Sequence, residues 1–168
     1  MKEKIKIQYL ADTPELVPLL ATWTFEKYKI YDPSLTYEKC VASLNSRLHR
    51  KEVPLTLVAM KGNSPIGMVS LKLTVPIEAY SDKGPWVGTL YVLPEFRSKG
   101  IGKLLMQKLE VLARDFGYKT LFLFTSVPNM HLWYQGIGWQ LIAKDIYQKL
   151  PIVIMQHDIS HLLEMESL

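Results

Sequence analysis

One cysteine, Cys40, occurs in the 168 residues of this chain. A single thiol excludes an internal disulfide. Its place on the apolar side of a helical pattern reads as a buried thiol rather than a reactive one. Long apolar runs are missing too. No stretch approaches the roughly 20 residues of a membrane span, and Met1-Lys-Glu-Lys-Ile-Lys6 holds no apolar core of a signal peptide. The expectation is a cytoplasmic protein with no membrane partner. His49, His131, His157 and His161 show no ligand spacing that other residues complete, so no metal is implied. The sequence has no internal repeat, low-complexity segment or linker-like stretch. Neither charge dominates, since the formal net charge is +4. The basic residues are scattered, apart from Arg47, Arg50 and Lys51, and Arg97, Lys99 and Lys103. Nucleic-acid binding calls for larger basic clusters with exposed aromatics, so no nucleic-acid partner is expected.

What is present is an ordinary globular composition, 48% apolar and 21% charged, at a length that suits one domain with a full core. Residues 1–158 read as that domain and 159–168 as a C-terminal tail. Lys4 to Leu10 alternates like a strand. Thr13-Pro14-Glu15 reads as a helix start, followed by the stripe Leu16, Leu19, Leu20 and Trp23. Thr36 caps a second helix with Tyr37, Cys40, Val41, Leu44 and Leu48 on one face. Leu55–Met60 and Ile66–Val75 read as a hairpin around Lys61-Gly-Asn-Ser-Pro65. An irregular segment from Pro76 to Pro85 leads into a strand, Trp86 to Leu93. A helix from Ile101 to Phe116 stops at Gly117. Lys119–Phe124 is a strand, Met130–Gln135 a short helix, and Trp139–Asp145 and Pro151–Asp158 two last strands.

Residues 87 to 105 carry the most information. The strand Val87 to Leu93 is stopped by Pro94, and a turn holding Arg97, Gly100 and Gly102 opens an amphipathic helix. Backbone N–H groups at a helix start have no intrahelical partner, and the helix dipole adds partial positive charge there. Glycines let a phosphate approach the backbone, and Arg97 and Lys99 add full charges. The arrangement suits an anionic cofactor. A dinucleotide fold needs a third glycine where Leu105 stands, and a P-loop needs Ser or Thr where Leu104 stands.

What fits is Arg/Gln-x-x-Gly-x-Gly/Ala, present as Arg97-Ser-Lys-Gly100-Ile-Gly102. With Leu90-Tyr-Val92 and Pro94 before it and Ile101-Gly-x-x-Leu-Leu105 after it, the stretch resembles the acyl-CoA pyrophosphate loop of the GCN5-related N-acetyltransferase (GNAT) superfamily. A second segment, Trp133-Tyr134-Gln-Gly-Ile-Gly138-Trp139, resembles the superfamily's Leu/Phe-Tyr-x-x-x-Gly-Phe/Trp. The element order β-α-α-β-β-β-α-β-α-β-β is also that of the family. The resemblance implies an α/β (α+β) fold, a mixed, mostly antiparallel sheet flanked by helices, and acetyl-CoA as cosubstrate. It implies that Leu90, Tyr91, Val92, Arg97, Ser98, Lys99, Gly100, Ile101, Gly102 and Lys103 hold that cosubstrate. The Val92 N–H would stabilise the oxyanion of a tetrahedral intermediate, and Tyr134 would protonate the leaving thiolate. The asparagine that many members carry seven residues before the tyrosine is Val127 here, with Asn129 the nearest asparagine.

The implied activity is transfer of an acetyl group to a primary amine, of a small molecule or a peptide. A non-catalytic acyl-CoA-binding sensor is the alternative, separated from the enzyme by turnover. Glu78, with Asp82 behind it, is the candidate general base, and His131 lies one turn before Tyr134. Trp23, Phe25, Tyr28, Tyr31, Tyr37 and Tyr80 make the expected acceptor region aromatic, and Glu26, Asp32, Glu78 and Asp82 favour a cationic amine. A homodimer is compatible with this reading.

Overall fold

The computed structural model describes residues 3–162, and these group into two compact units. The first takes the described residues up to Leu71 together with Thr89–Leu109, and the second takes Lys72–Gly88 and the described residues from Glu110 onward.

In the first unit, β1 (Ile5–Tyr9) pairs antiparallel with β2 (Leu55–Lys61), from Ile5↔Lys61 to Tyr9↔Leu57. β2 forms an antiparallel hairpin with β3 (Ser64–Lys72), turned at Gly62, whose φ is 59°. Leu55–Met60 and Ile66–Leu71 are buried at every position, which is why neither run alternates in polarity. Between β1 and β2 come α1 (Val17–Tyr28) and α2 (Tyr37–Asn45). Pro18 falls in the first turn of α1, where its missing N–H costs nothing. Thr36 caps α2 as expected, its hydroxyl accepting the Lys39 N–H at 3.1 Å.

Two expectations for α1 are corrected. Thr13 does not cap a helix with its side chain; its hydroxyl accepts from Gln8 Nε2 at 3.0 Å, and a single 3-10 turn, Pro14–Leu16, intervenes before α1. The inward face is Val17, Leu20, Ala21 and Trp23, whereas Leu19 is 44% exposed. Leu20 and Trp23 are buried as expected and Leu16 packs against the same core, so Leu19 alone of the expected stripe turns outward. The packed group Leu10, Val17, Leu20, Trp23, Cys40, Leu44 and Val58 is the core on this side, with Cys40 buried in it as a free thiol.

β4 (Trp86–Val92) and α3 (Ile101–Asp115) each begin in one unit and end in the other. The second unit adds β5 (Thr120–Thr125), α4 (Met130–Gly136), β6 (Gln140–Tyr147) and β7 (Leu150–Asp158). β7 runs antiparallel to both β5 and β6, while β4 meets β5 in parallel at Trp86↔Phe122. The seven strands lie in the order β1-β2-β3-β4-β5-β7-β6, a mixed and mostly antiparallel sheet. Trp86 is fully buried against Phe122, at 5.6 Å between rings, with Val75, Ile77, Ile152 and Ile154 around it. Its indole N–H donates to the Lys83 carbonyl at 2.9 Å, so the polar atom of this residue is satisfied too. Of the segment read as a tail, Ile159 is buried and its N–H donates to the Lys119 carbonyl at 2.9 Å; residues 163–168 lie outside the described residues.

Candidate active site

β4 is irregular where the units divide it. Thr89 has φ 51°, a left-handed conformation that is an outlier for a β-branched residue. Its hydroxyl donates to Ser70 Oγ at 2.6 Å, and Ser70 shares a second bond of 2.7 Å with Thr56 Oγ1. Three hydroxyls therefore hold the bend. Past it, the Leu93 N–H donates to the Ile66 carbonyl at 2.9 Å, which turns the backbone of Leu93 toward β3. Successive residues of a strand face opposite edges, so Leu90 and Val92 present their N–H and C=O away from β3. Two cations meet those carbonyls: Lys27 Nζ donates to Leu90 O at 2.8 Å, and Arg97 Nε donates to Val92 O at 2.9 Å. The Arg97 guanidinium also lies 5.5 Å from the Tyr91 ring centroid.

The segment that follows gathers basic side chains at a helix start. A 3-10 turn, Pro94–Phe96, leads to Arg97, and Ser98 and Gly100 then take positive φ of 59° and 82°. A Cβ on Gly100 would meet nothing within 4 Å, so this glycine serves the backbone conformation and leaves open space in front of it. The Leu104 N–H makes an early α3 bond, to Gly100 O at 3.0 Å. The N–H groups of Ile101, Gly102 and Lys103 thus belong to the helix start, where an anion is favoured. Arg97, Ser98, Lys99, Gly100 and Lys103 are exposed, whereas the Ile101 side chain is 6% exposed and faces the core. Lys99 Nζ sits 5.5 Å from the Phe96 ring centroid.

Burial shifts several groups behind this edge. Lys27 is lowered to about 8, first by desolvation and then by the Arg97 charge. Arg47, 8% exposed, is lowered to about 10 by burial, with Nη1 on Ser70 Oγ at 3.2 Å and Nη2 on Ser43 Oγ at 2.5 Å. Tyr28 is pushed up to about 12 by burial, against the opposing pull of Arg47. Sequence reasoning passed over Lys27 because nothing local marks it; its meeting with Leu90 spans 63 positions.

In the second unit, Tyr134 is 8% exposed on α4, its ring 5.2 Å from that of Trp133 and 6.2 Å from that of Trp139. Its carbonyl accepts from the N–H groups of Ile137 and Trp139, both at 3.1 Å, closing the helix before Gly138 at φ 105°. Asn129 opens α4 in a left-handed conformation without a side-chain cap. Glu78 begins a 3-10 turn, Glu78–Tyr80, with its side chain exposed, and Asp82 is exposed as well. That turn is tied down by Tyr80, whose hydroxyl donates to Asp145 Oδ2 at 3.1 Å and whose ring packs edge-on against Trp86. Among the described residues, no group of three or more His, Cys, Asp or Glu gathers where it could hold a metal. No helix among them is long and apolar enough to cross a membrane.

A profile of the acetyltransferase (GNAT) family matches residues 14–139, three quarters of the chain and all of the strand edge, loop and α4. The chain belongs to the GNAT family. An uncharacterized N-acetyltransferase of Chlorobaculum tepidum is 32% identical over 71 residues, 42% of this chain; the match spans less than half of that relative, 44% of its length. Solved structures share the fold. An IAA acetyltransferase from Bacillus cereus superposes with a TM-score of 0.61 at 22% identity, covering 92% of this GNAT chain and 99% of its own. An aminoglycoside 6′-N-acetyltransferase complexed with coenzyme A gives 0.69 at 14%, covering 92% and 97%.

Proposed function

We propose that this GNAT protein transfers the acetyl group of acetyl-CoA to a primary amine of a small molecule or peptide. The observation that carries the reading is the β4 edge. Leu90 and Val92 turn their backbone groups away from β3, and the same segment runs on through Pro94 into Arg97–Gly102 and the start of α3. An extended amide chain adds to such an edge as a strand would, and a diphosphate suits positive-φ glycine, helix N–H groups and Arg97. One ligand with both parts is a pantetheine diphosphate, and one solved relative is named as a complex with coenzyme A.

Within that reading the Val92 N–H stabilises charge on the thioester oxygen. Such a donor is worth about 10²–10³ in rate. Arg97 and Lys27 give up their hydrogen bonds to the strand as the amide chain takes the edge. Tyr134 carries the proton to the departing thiolate, the role the family resemblance gives it, and Glu78 accepts or relays the proton of the incoming ammonium. The protein is read as cytoplasmic.

Release of free thiol from acetyl-CoA, followed with a panel of small amines, peptides and an aminoglycoside, tests the proposal. Turnover with at least one amine is expected. Binding of CoA without turnover on any acceptor would make the protein a sensor instead. Tyr134→Phe should lower kcat and kcat/KM together by about a hundredfold, with CoA affinity little changed. Near-normal turnover of that variant would remove Tyr134 from the mechanism.

A further inference from the structure

Lys27 stands one helical turn after Trp23 on α1, and the Trp23 ring stacks on Tyr91 of β4 at 5.3 Å with 28° between planes. That stacking delivers the next turn of the helix onto the strand. Lys27 Nζ donates to Leu90 O at 2.8 Å and lies 5.1 Å from the Tyr28 ring centroid and 5.8 Å from that of Tyr91. No carboxylate pairs with it among the described residues. The charged group facing it is Arg97, on the segment after β4, and the titratable neighbours are Tyr28 on its own helix and Tyr91 on the strand.

We propose that Lys27 is itself an acetyl acceptor, so that the protein acetylates its own α1 at this position. The proposal rests on acetyl-CoA lying along Leu90–Val92 as described above. A strand rises about 3.3 Å per residue, so Val92 lies about 7 Å beyond Leu90, within the sweep of a four-carbon lysine stem. An amide chain that takes Leu90 O displaces the Nζ hydrogen bond and leaves the amine beside the thioester. The neutral nitrogen attacks the thioester carbon, an N–C bond forms and the C–S bond breaks. The sulfur leaves as thiolate and is protonated, while the surplus N–H proton passes to water. The product is a neutral amide, which ends the repulsion between Lys27 and Arg97.

Burial beside Arg97 makes the amine available, because a lysine lowered to about 8 is neutral in about one molecule in ten at pH 7. An ordinary exposed lysine is neutral in roughly one in a few thousand at that pH. The acetylation rate of Lys27 should therefore rise about tenfold per pH unit below 8 and level off above it.

The experiment incubates the full chain with acetyl-CoA over a wide range of protein concentration. Peptides carrying Lys27, and the exposed Lys108 and Lys144, are followed by mass spectrometry, and CoA binding is measured by calorimetry on the same preparation. Lys27 is expected to gain an acetyl group at least about tenfold faster than the two surface lysines, at a rate that dilution does not change, and excess desulfo-CoA should suppress it. CoA binding with Lys27 modified no faster than Lys108 and Lys144 overturns the self-acetylation while leaving the cofactor reading intact. A rate that rises with protein concentration overturns it too. An absence of CoA binding overturns the cofactor reading and this proposal together.

Discussion

Gly100 and Ser98 show how much a single residue of this loop decides. Both take positive φ, and only at Gly100 is the space in front of the backbone known to be open. Replacing Gly100 by Leu should cost about 1–2 kcal/mol of stability, the penalty of a left-handed conformation for a residue with a Cβ, because no neighbour is struck. The same side chain would fill the space where the proposed diphosphate lies. CoA binding is therefore expected to lose more than the fold does, a fall of more than about thirtyfold in affinity at about 1.4 kcal/mol per tenfold. Calorimetric titration beside thermal denaturation checks this, and equal losses in both would assign the glycine to the fold alone. The turn and helix start at residues 97–103 were legible in the sequence because these residues are consecutive and their signals are local. Lys27 was not, because its partner Leu90 is brought to it only by the docking of α1 on β4, through Trp23 and Tyr91.

Elements were legible where a local device fixes them and less so where packing does. α2 begins where Thr36 caps it, and the β2–β3 hairpin turns at Gly62-Asn63, both visible in the sequence. The start of α1 was read too early, because Thr13 and Pro14 look like a helix start but serve Gln8 and a 3-10 turn instead, and Leu19 was placed inward beside Leu20. That placement can be tested directly. Leu20 is fully buried, so Leu20→Ala should cost about 2–5 kcal/mol, lost transfer energy plus the cavity left behind. Leu19, 44% exposed, should lose no more than about 0.5 kcal/mol on the same change. Urea denaturation of the two variants measures both, and equal losses would restore the earlier stripe. The bend at Thr89 was read as regular strand, because a β-branched residue in an apolar run outweighed the one local signal, Gly88 before it; its hydroxyl bond to Ser70, a residue of β3, holds it.

For the whole molecule, the order of elements followed from periodicity and punctuation, but the strand order did not. That β7 lies between β5 and β6 is fixed by pairings such as Phe122↔Gln156 and Ala143↔Ile154, which no local pattern announces. Global stability carries a pH signature of equally non-local origin. Glu110 on α3 is 7% exposed, and burial pushes its carboxyl up to about 7, against the Trp139 indole, which favours the charged form. His157 Nε2 lies 3.8 Å from its Oε2, and burial lowers that imidazole; His157 also bonds Gly138 O at 2.9 Å, stacks on Trp139 and faces His161. Both groups thus favour their neutral forms, and their signs oppose. Folded Glu110 holds its proton from 4.5 up to about 7 while the unfolded chain has released it, so its contribution is greatest at low pH and is lost as pH rises through 7. The lowered His157 does the reverse, and its contribution is lost as pH falls below its ordinary 6.5. Glu110→Gln removes the first effect and keeps the shape. The variant should be more stable than the parent at pH 8 by on the order of 2 kcal/mol, several degrees in Tm for a chain of this size, and close to it at pH 5. Thermal denaturation at the two pH values decides the matter. A difference that is the same at both would mean that Glu110 is already ionised in the folded protein, with its charge held by groups such as Trp139 and His157.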